Sequence, residues 1–186
     1  MSLHEIVLPE TKPETEWILG RPVQKVSPFR VHARLQLRLG VALYPWAQGR
    51  GEVGTEWRFR IAPPHEIRRP LVPDVAFISY ARLEGLEGHD LDAPPCPPDV
   101  AFEIRSPGDR PRNVAHKISV YLAAGTALVV VVEPRDRTVH LHDARGERVL
   151  RGDDVLAHDA LPGFALALPE LFAAADPPRF PANTPR

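Results

Sequence analysis

Proline sets the tightest limit on this fold. The chain carries 22 prolines in 186 residues, more than twice the usual share of roughly 5%. An interior proline costs a helix roughly 3 kcal/mol, which excludes a long-helix bundle or a coiled coil. The prolines gather at 63–64, 70–73, 94–98 and 177–185, so they read as boundaries between short elements. The length suits a single domain over 1–175, followed by a proline-rich tail at 176–186 that is expected to be disordered. Apolar residues make up 44% and the net charge is −1. Those values exclude a wholly disordered chain and a uniformly basic coat protein, but not a local basic cleft.

Cysteine and hydropathy narrow the class further. Cys96 is the only cysteine, which excludes an intrachain disulfide framework and a multi-cysteine zinc site. It lies between prolines with no motif around it, so nothing gives it a nucleophile's role. No apolar run reaches the roughly 18 residues of a membrane span, and the start MSLHEIVLPE has no signal-peptide core. A soluble, cytoplasmic protein with no membrane partner is the expectation.

Between the proline boundaries the pattern mixes two periods. Residues 29–43 read as a helix, with Val31, Leu35 and Leu39 on one face and Arg30, Arg34 and Arg38 on another. Residues 56–61 alternate polar and apolar like a half-buried strand. Further strands are predicted over 72–79 and 99–105. Residues 109–125 predict a helix, N-capped by Asp109, striped by Val114, Ile118 and Leu122, and closed by Gly125. The β-branched run 127–132 fits a strand covered on both faces. A turn at 133–136 then returns an alternating strand over 137–142. Strand, helix and strand from 99 to 132 make a crossover unit. The predicted fold class is α/β, a mixed central β-sheet flanked by helices.

The chemistry concentrates in a repeated pentapeptide. Pro-Asp-Val-Ala-Phe occurs at 73–77 and again at 98–102, where it runs into Glu103-Ile104-Arg105. On a strand, Asp99, Glu103 and Arg105 share one face, opposite Val100, Phe102 and Ile104. A solvated edge strand would explain that face. A covered strand would instead need its charges paired or bound to a metal. Asp99 and Glu103 lie about 13 Å apart along one strand, too far to share one ion. Asp74, on a neighbouring strand about 4.8 Å away, is the better partner for Glu103.

The ordered string VPDVAF, PPDVAFEIRSP and HKISVYLAAGTALVVVVEP, closed by Leu161-Pro162-Gly163-Phe164 and Leu168-Pro169-Glu170-Leu171, resembles the bacterial putative restriction endonuclease family of the PD-(D/E)XK nuclease superfamily. The resemblance covers about residues 14–172 and is strongest over 70–134. It implies a restriction endonuclease-like fold and a Mg²⁺-dependent (or Mn²⁺-dependent) endodeoxyribonuclease. Asp74 and Glu103 would hold the ion, with the Ile104 carbonyl as a further ligand. Arg105 stands where the family signature ends in lysine. A guanidinium is not deprotonated in proteins, so Arg105 would serve as a phosphate clamp rather than a base. The catalytic lysine would be Lys117 on the following helix; its own pattern reads first as a solvated helix lysine, and the resemblance is what assigns it the catalytic role.

Other readings stay open at this point. Glu16 or Glu56 would be an additional acidic ligand. His32 lies on the arginine-bearing helix, where a single histidine is more often structural or exposed than catalytic. His140 and His142 share a strand face and offer a second metal-binding pair. Basic residues gather at 58–69 and 105–117, whereas 84–99 is acidic, a segregation that suits DNA as partner. No helix-turn-helix or zinc finger is visible, so specificity would come from loops such as 80–97. A homodimer would suit cleavage of two strands. The alternative is a catalytically inactive, nucleic-acid-binding or structural relative of the same fold, and Arg105 is the feature that favours it.

Overall fold

In the computed structural model, which describes residues 5–177, the chain opens with a hairpin. Strands β1 (Thr15–Ile18) and β2 (Arg21–Gln24) pair antiparallel. They are joined at Leu19 and Gly20, both with positive φ (48° and 77°). That is the backbone of a tight primed turn, but leucine stands where asparagine or aspartate usually signals one. Helix α1 (Arg30–Ala47) follows and buries His32, Leu35, Leu39, Leu43 and Ala47. It runs past the predicted end at 43 with Pro45 inside its last turn. Proline there removes one intrahelical N–H bond, to the Val41 carbonyl, and the loss is confined to the final turn.

Next come β3 (Gly51–Thr55), β4 (Phe59–Ile61), β5 (Arg69–Leu71) and β6 (Val75–Ser79). The alternation at 56–61 forms a strand only in its second half, because Glu56 sits at φ 52° and bends the chain. Two short helices, α2 (Tyr80–Leu83) and α3 (His89–Asp92), lead to β7 (Val100–Ile104). Helix α4 (Pro111–Ala124) connects β7 to β8 (Leu128–Glu133). Strands β9 (Thr138–Asp143) and β10 (Gly146–Leu150) form a hairpin. Then β11 (Val155–Leu156), β12 (Leu166–Ala167), α5 (Leu168–Phe172) and a 3₁₀ turn at Ala173–Ala175 close the described chain. Most of the predicted tail, from residue 178, lies outside the described residues.

The central sheet has six strands in the order β10-β9-β8-β7-β6-β3. Only β7 and β8 run parallel, joined by the predicted crossover helix. The β-branched run of β8 is buried on both sides. On one face, Leu35, Leu39 and Leu43 of α1 pack with Phe77, Val100, Phe102, Val130 and Val132, and Leu168 and Phe172 extend this layer. On the other, Ala101, Val129 and Val131 meet Tyr121 and Val120 of α4, with Phe59, Ile61 and Leu71 alongside. The fold is α/β, a mixed sheet between two helical layers, as the sequence predicts.

The second face required a correction to the predicted stripe of α4. Its buried residues are Lys117, Val120 and Tyr121, while Val114, Ile118 and Leu122 are half-buried at its flank. The helix is turned so that a lysine faces the sheet, which an apolar-stripe reading would place outward. The N-terminal cap also differs: Arg110 occupies it, with Pro111 in the first turn and no side-chain cap. The C-terminal prediction holds, with Gly125 left-handed at φ 102°.

Gly51 is the position where backbone approach forbids a side chain. It pairs with Ser79, and a Cβ there would lie 2.1 Å from the Ile78 carbonyl oxygen and 2.7 Å from the Ser79 Cα. These are backbone atoms that no rotamer change can move. Gly51→Ala is expected to destabilise the protein by about 1–3 kcal/mol, read by urea unfolding. Gly40→Ala in α1, where a Cβ meets nothing within 4 Å, should instead stabilise by up to about 1 kcal/mol. Equal behaviour of the two variants would refute the assignment.

Candidate active site

Two adjacent strand ends and one helix face build the site. Asp74 sits just ahead of β6, where its N–H donates to the Phe102 carbonyl at 3.0 Å. This bond fixes Asp74 beside the end of β7. Its Oδ2 accepts the Ile104 N–H at 2.6 Å and lies 3.1 Å from His32 Nε2. Its Oδ1 accepts from Lys25 Nζ at 2.7 Å. The Ile104 N–H therefore points to a side chain rather than to a strand.

Glu103 projects from β7 towards α4. Lys117 Nζ donates to it at 2.7 Å, and the Tyr121 hydroxyl donates to Oε1 at 3.2 Å. Lys117 and Tyr121 are four residues apart, so one helix face delivers both donors. Lys117 Nζ also meets Glu16 at 2.7 Å, and Glu16 accepts the Val72 N–H at 2.7 Å. The Val72 carbonyl takes Lys25 Nζ at 3.0 Å and Lys117 Nζ at 3.5 Å. That peptide thus links the two lysine–carboxylate pairs.

The structure brings Asp74, Glu103, Ile104 and Lys117 to one cleft, together with Glu16, Lys25 and His32. Its volume is about 380 Å³, and the β1–β2 hairpin and residues 106–117 line the rest. Glu56 stands at the edge of this network, 2.9 Å from Lys25. Gln36 ties it in by donating to Glu56 at 3.0 Å and to the Asp74 carbonyl at 2.8 Å. Asp99 stays apart, accepting the Ser79 N–H at 2.7 Å and pairing with Arg82. Arg105 is not brought to the cluster. It lies 3.8 Å from Asp109 and 3.6 Å from Glu133, along a neighbouring groove lined by Phe29, His32 and Ser106. The groove and the cleft share His32 and Ser106.

The electrostatics follow from burial. Asp74, Glu103, Glu16 and Lys117 are all nearly inaccessible. Burial pushes the Glu103 carboxyl up to about 8; Lys117 opposes this, while Asp74 and Glu16 add to it. Burial also works against the Asp74 carboxylate, yet Lys25 and the His32 hydrogen bond hold it well below the usual range. Burial pulls both lysines down, but their carboxylate neighbours, Asp74 for Lys25 and Glu103 for Lys117, hold them above the ordinary value. Formally, Glu16, Glu56, Asp74 and Glu103 bring four negative charges against two from Lys25 and Lys117. With all four ionised, a shortfall of two positive charges remains; in the ion-free protein the raised Glu103 carboxyl holds a proton at neutral pH and covers one of them.

Sequence reasoning missed Lys25, Gln36 and Tyr121, and took His32 as structural or exposed rather than catalytic. Lys25 is 49 residues from Asp74, beyond any local spacing rule, and the unusual Leu-Gly turn hid the hairpin that carries it. Tyr121 was signalled by its i,i+4 relation to Lys117. The basic cluster at 58–69 is spent internally: Arg58 pairs with Glu14, Arg60 with Glu5 and Asp90, and Arg69 with Glu66. None of residues 80–97 lines the cleft.

A mixed sheet that presents carboxylates from two adjacent strand ends, with a lysine from the crossover helix, places the protein in the restriction endonuclease-like class of α/β folds. The family model described as "Uma2: Putative restriction endonuclease" matches residues 3–169, and the chain belongs to that family. The fold is similar to the crystal structure of a putative nuclease belonging to DUF820 from Anabaena variabilis. The TM-score is 0.81 at 24% identity, covering 90% of this chain and 94% of that one. No curated protein matches the sequence. Among the described residues, no helix is long and apolar enough to cross a membrane.

Proposed function

We propose that the protein is a divalent-metal-dependent endonuclease that hydrolyses DNA phosphodiester bonds in this cleft. The carrying observation is the convergence of Lys117 on Glu103 at 2.7 Å in the cleft that also holds Asp74. The donor set fits a hard dication. Carboxylate and carbonyl oxygens suit Mg²⁺ or Mn²⁺, and the two-charge shortfall of the cluster matches the ion's charge. Asp74 and Glu103 would hold it, with the Ile104 carbonyl and Glu16 as further oxygen donors. When bound, such an ion supplies Lewis-acid polarisation of a phosphate and acidifies water.

The chain's own residues do the rest. Lys25 keeps Asp74 ionised, and Tyr121 fixes the orientation of Glu103. Lys117, freed in part from Glu103, presents an ammonium to the negative charge that develops on the phosphoryl and leaving oxygens. Arg21 and Arg110 line the cleft, form no ion pair among the described residues, and are placed to meet backbone phosphates. Arg105 acts further along the strand, through the groove that joins the cleft at His32, and not at the scissile phosphate. Sequence preference would come from the β1–β2 hairpin and the 106–110 loop rather than from 80–97. Cutting both strands calls for two such clefts, which a homodimer supplies. DNA as substrate sets the work in the cytoplasm.

Supercoiled plasmid tests the proposal. The full chain with Mn²⁺ or Mg²⁺ should yield nicked and then linear DNA, and EDTA should stop the reaction. Lys117→Met should lower the rate by roughly 10²–10⁴-fold while circular dichroism stays unchanged. The proposal fails if plasmid remains intact with either ion, or if the variant cuts as well as the wild type.

A further inference from the structure

We propose that His140, His142 and Glu147 form a separate transition-metal site on the β9–β10 hairpin, taking a borderline ion such as Zn²⁺. The strand period puts His140 and His142 on one face of β9, with their rings 6.4 Å apart and within 15° of parallel. Glu147 lies directly across from His142 on β10 and aims at both rings. Its Oε1 is 2.6 Å from His140 Nδ1 and 3.9 Å from His142 Nε2. One ligand atom from each residue falls within 4.8 Å of the others. A tetrahedral ion with bonds of about 2.0–2.2 Å needs ligand atoms roughly 3.3–3.6 Å apart. The observed separations bracket that spacing, so small side-chain movements close the site.

The environment supports an ion rather than a plain ion pair. The second ring nitrogen of His140 lies 3.3 Å from the Thr138 hydroxyl, the kind of outer contact that orients a metal-bound imidazole. The side chains of His140 and His142 are 28% and 18% exposed, open enough for an ion to reach and for water to complete its coordination. Two imidazoles and one carboxylate prefer Zn²⁺, Ni²⁺ or Co²⁺ to Mg²⁺. The all-oxygen donor set proposed in the cleft has the opposite preference. Both sites lie on the same face of the sheet, because His140 pairs with Val131 and Val131 with Glu103. Two strand spacings, about 10 Å, separate them, and they share no residue. The ion would bridge β9 to β10, the outermost strand of the sheet, and hold that edge in place.

Cobalt reports the site without reference to cleavage. The full chain titrated with Co²⁺ should develop a visible ligand-field band of tetrahedral intensity, which Zn²⁺ then displaces. The band should persist in Glu103→Gln. In His142→Gln and in Glu147→Gln the affinity should fall by at least about 30-fold, loss of a ligand costing no less than the 10–100-fold of an outer-shell change. Glu147 is exposed on its strand, so its substitution leaves the fold intact and keeps the test valid if His142→Gln misfolds. Absence of the band in wild type, its loss in Glu103→Gln, or an unchanged Co²⁺ affinity in Glu147→Gln would overturn the proposal.

Discussion

Glu103→Gln is expected to abolish plasmid nicking, by on the order of 10³-fold or about 4 kcal/mol of barrier, while raising the stability of the ion-free protein at neutral pH. The two effects have one cause. Glu103 is buried in a cluster already rich in carboxylates, and its proton affinity is raised to about 8 from an ordinary value of 4.5. A carboxyl that holds its proton more tightly when folded contributes stability below pH 4.5, and that contribution is lost as pH rises through about 8. Wild-type stability in EDTA should therefore decline across that window, and glutamine should flatten the decline. Glutamine still accepts from Lys117 or Tyr121, whereas it gives an ion one weak neutral oxygen instead of a charged one. Thermal melts of both proteins from pH 5 to 8.5 measure the effect. Were Glu103 only a partnered core carboxylate, breaking its pair would cost about 3–5 kcal/mol and the sign would reverse.

Glu103 was legible in the sequence for the reason that makes it costly. Three ionisable residues share one strand face, and if a strand as apolar as 127–132 covers them their charges need partners. The 13 Å estimate for Asp99 and Glu103 correctly separated them, and Asp99 serves the Ser79 N–H instead. The repeated Pro-Asp works because the fixed backbone of Pro73 delivers Asp74 at the strand's start, where its side chain can replace a ladder partner for Ile104. What stayed hidden was tertiary. The rotation of α4 follows from the attraction of Lys117 for Glu103 and Glu16, a long-range term that outweighs the Val114–Ile118–Leu122 stripe. Lys25 arrives on a hairpin whose turn lacks the residues that usually announce one.

Lys25→Met carries the largest expected stability loss, about 3–5 kcal/mol at pH 7. The substitution leaves Asp74, 3% exposed, without its ammonium partner. Its carboxylate would then depend on the Ile104 N–H and His32. In the wild type, Asp74 is held below its ordinary value of 3.8, so its contribution is present above that pH and is lost on acidification. In the variant the unpaired carboxyl takes up a proton at higher pH, which relieves the buried charge. The gap between the two proteins should therefore be widest at neutral pH and narrow as pH falls towards 4, read by urea unfolding at pH 7, 5 and 4. A gap below about 1 kcal/mol, typical of an exposed pair, would show that Lys25 is not the charge that holds Asp74. Mn²⁺ gives the same argument a second handle. If the cluster lacks positive charge, a dication replaces part of what the ammonium supplied, and saturating Mn²⁺ should raise the variant's melting temperature more than it raises that of the wild type.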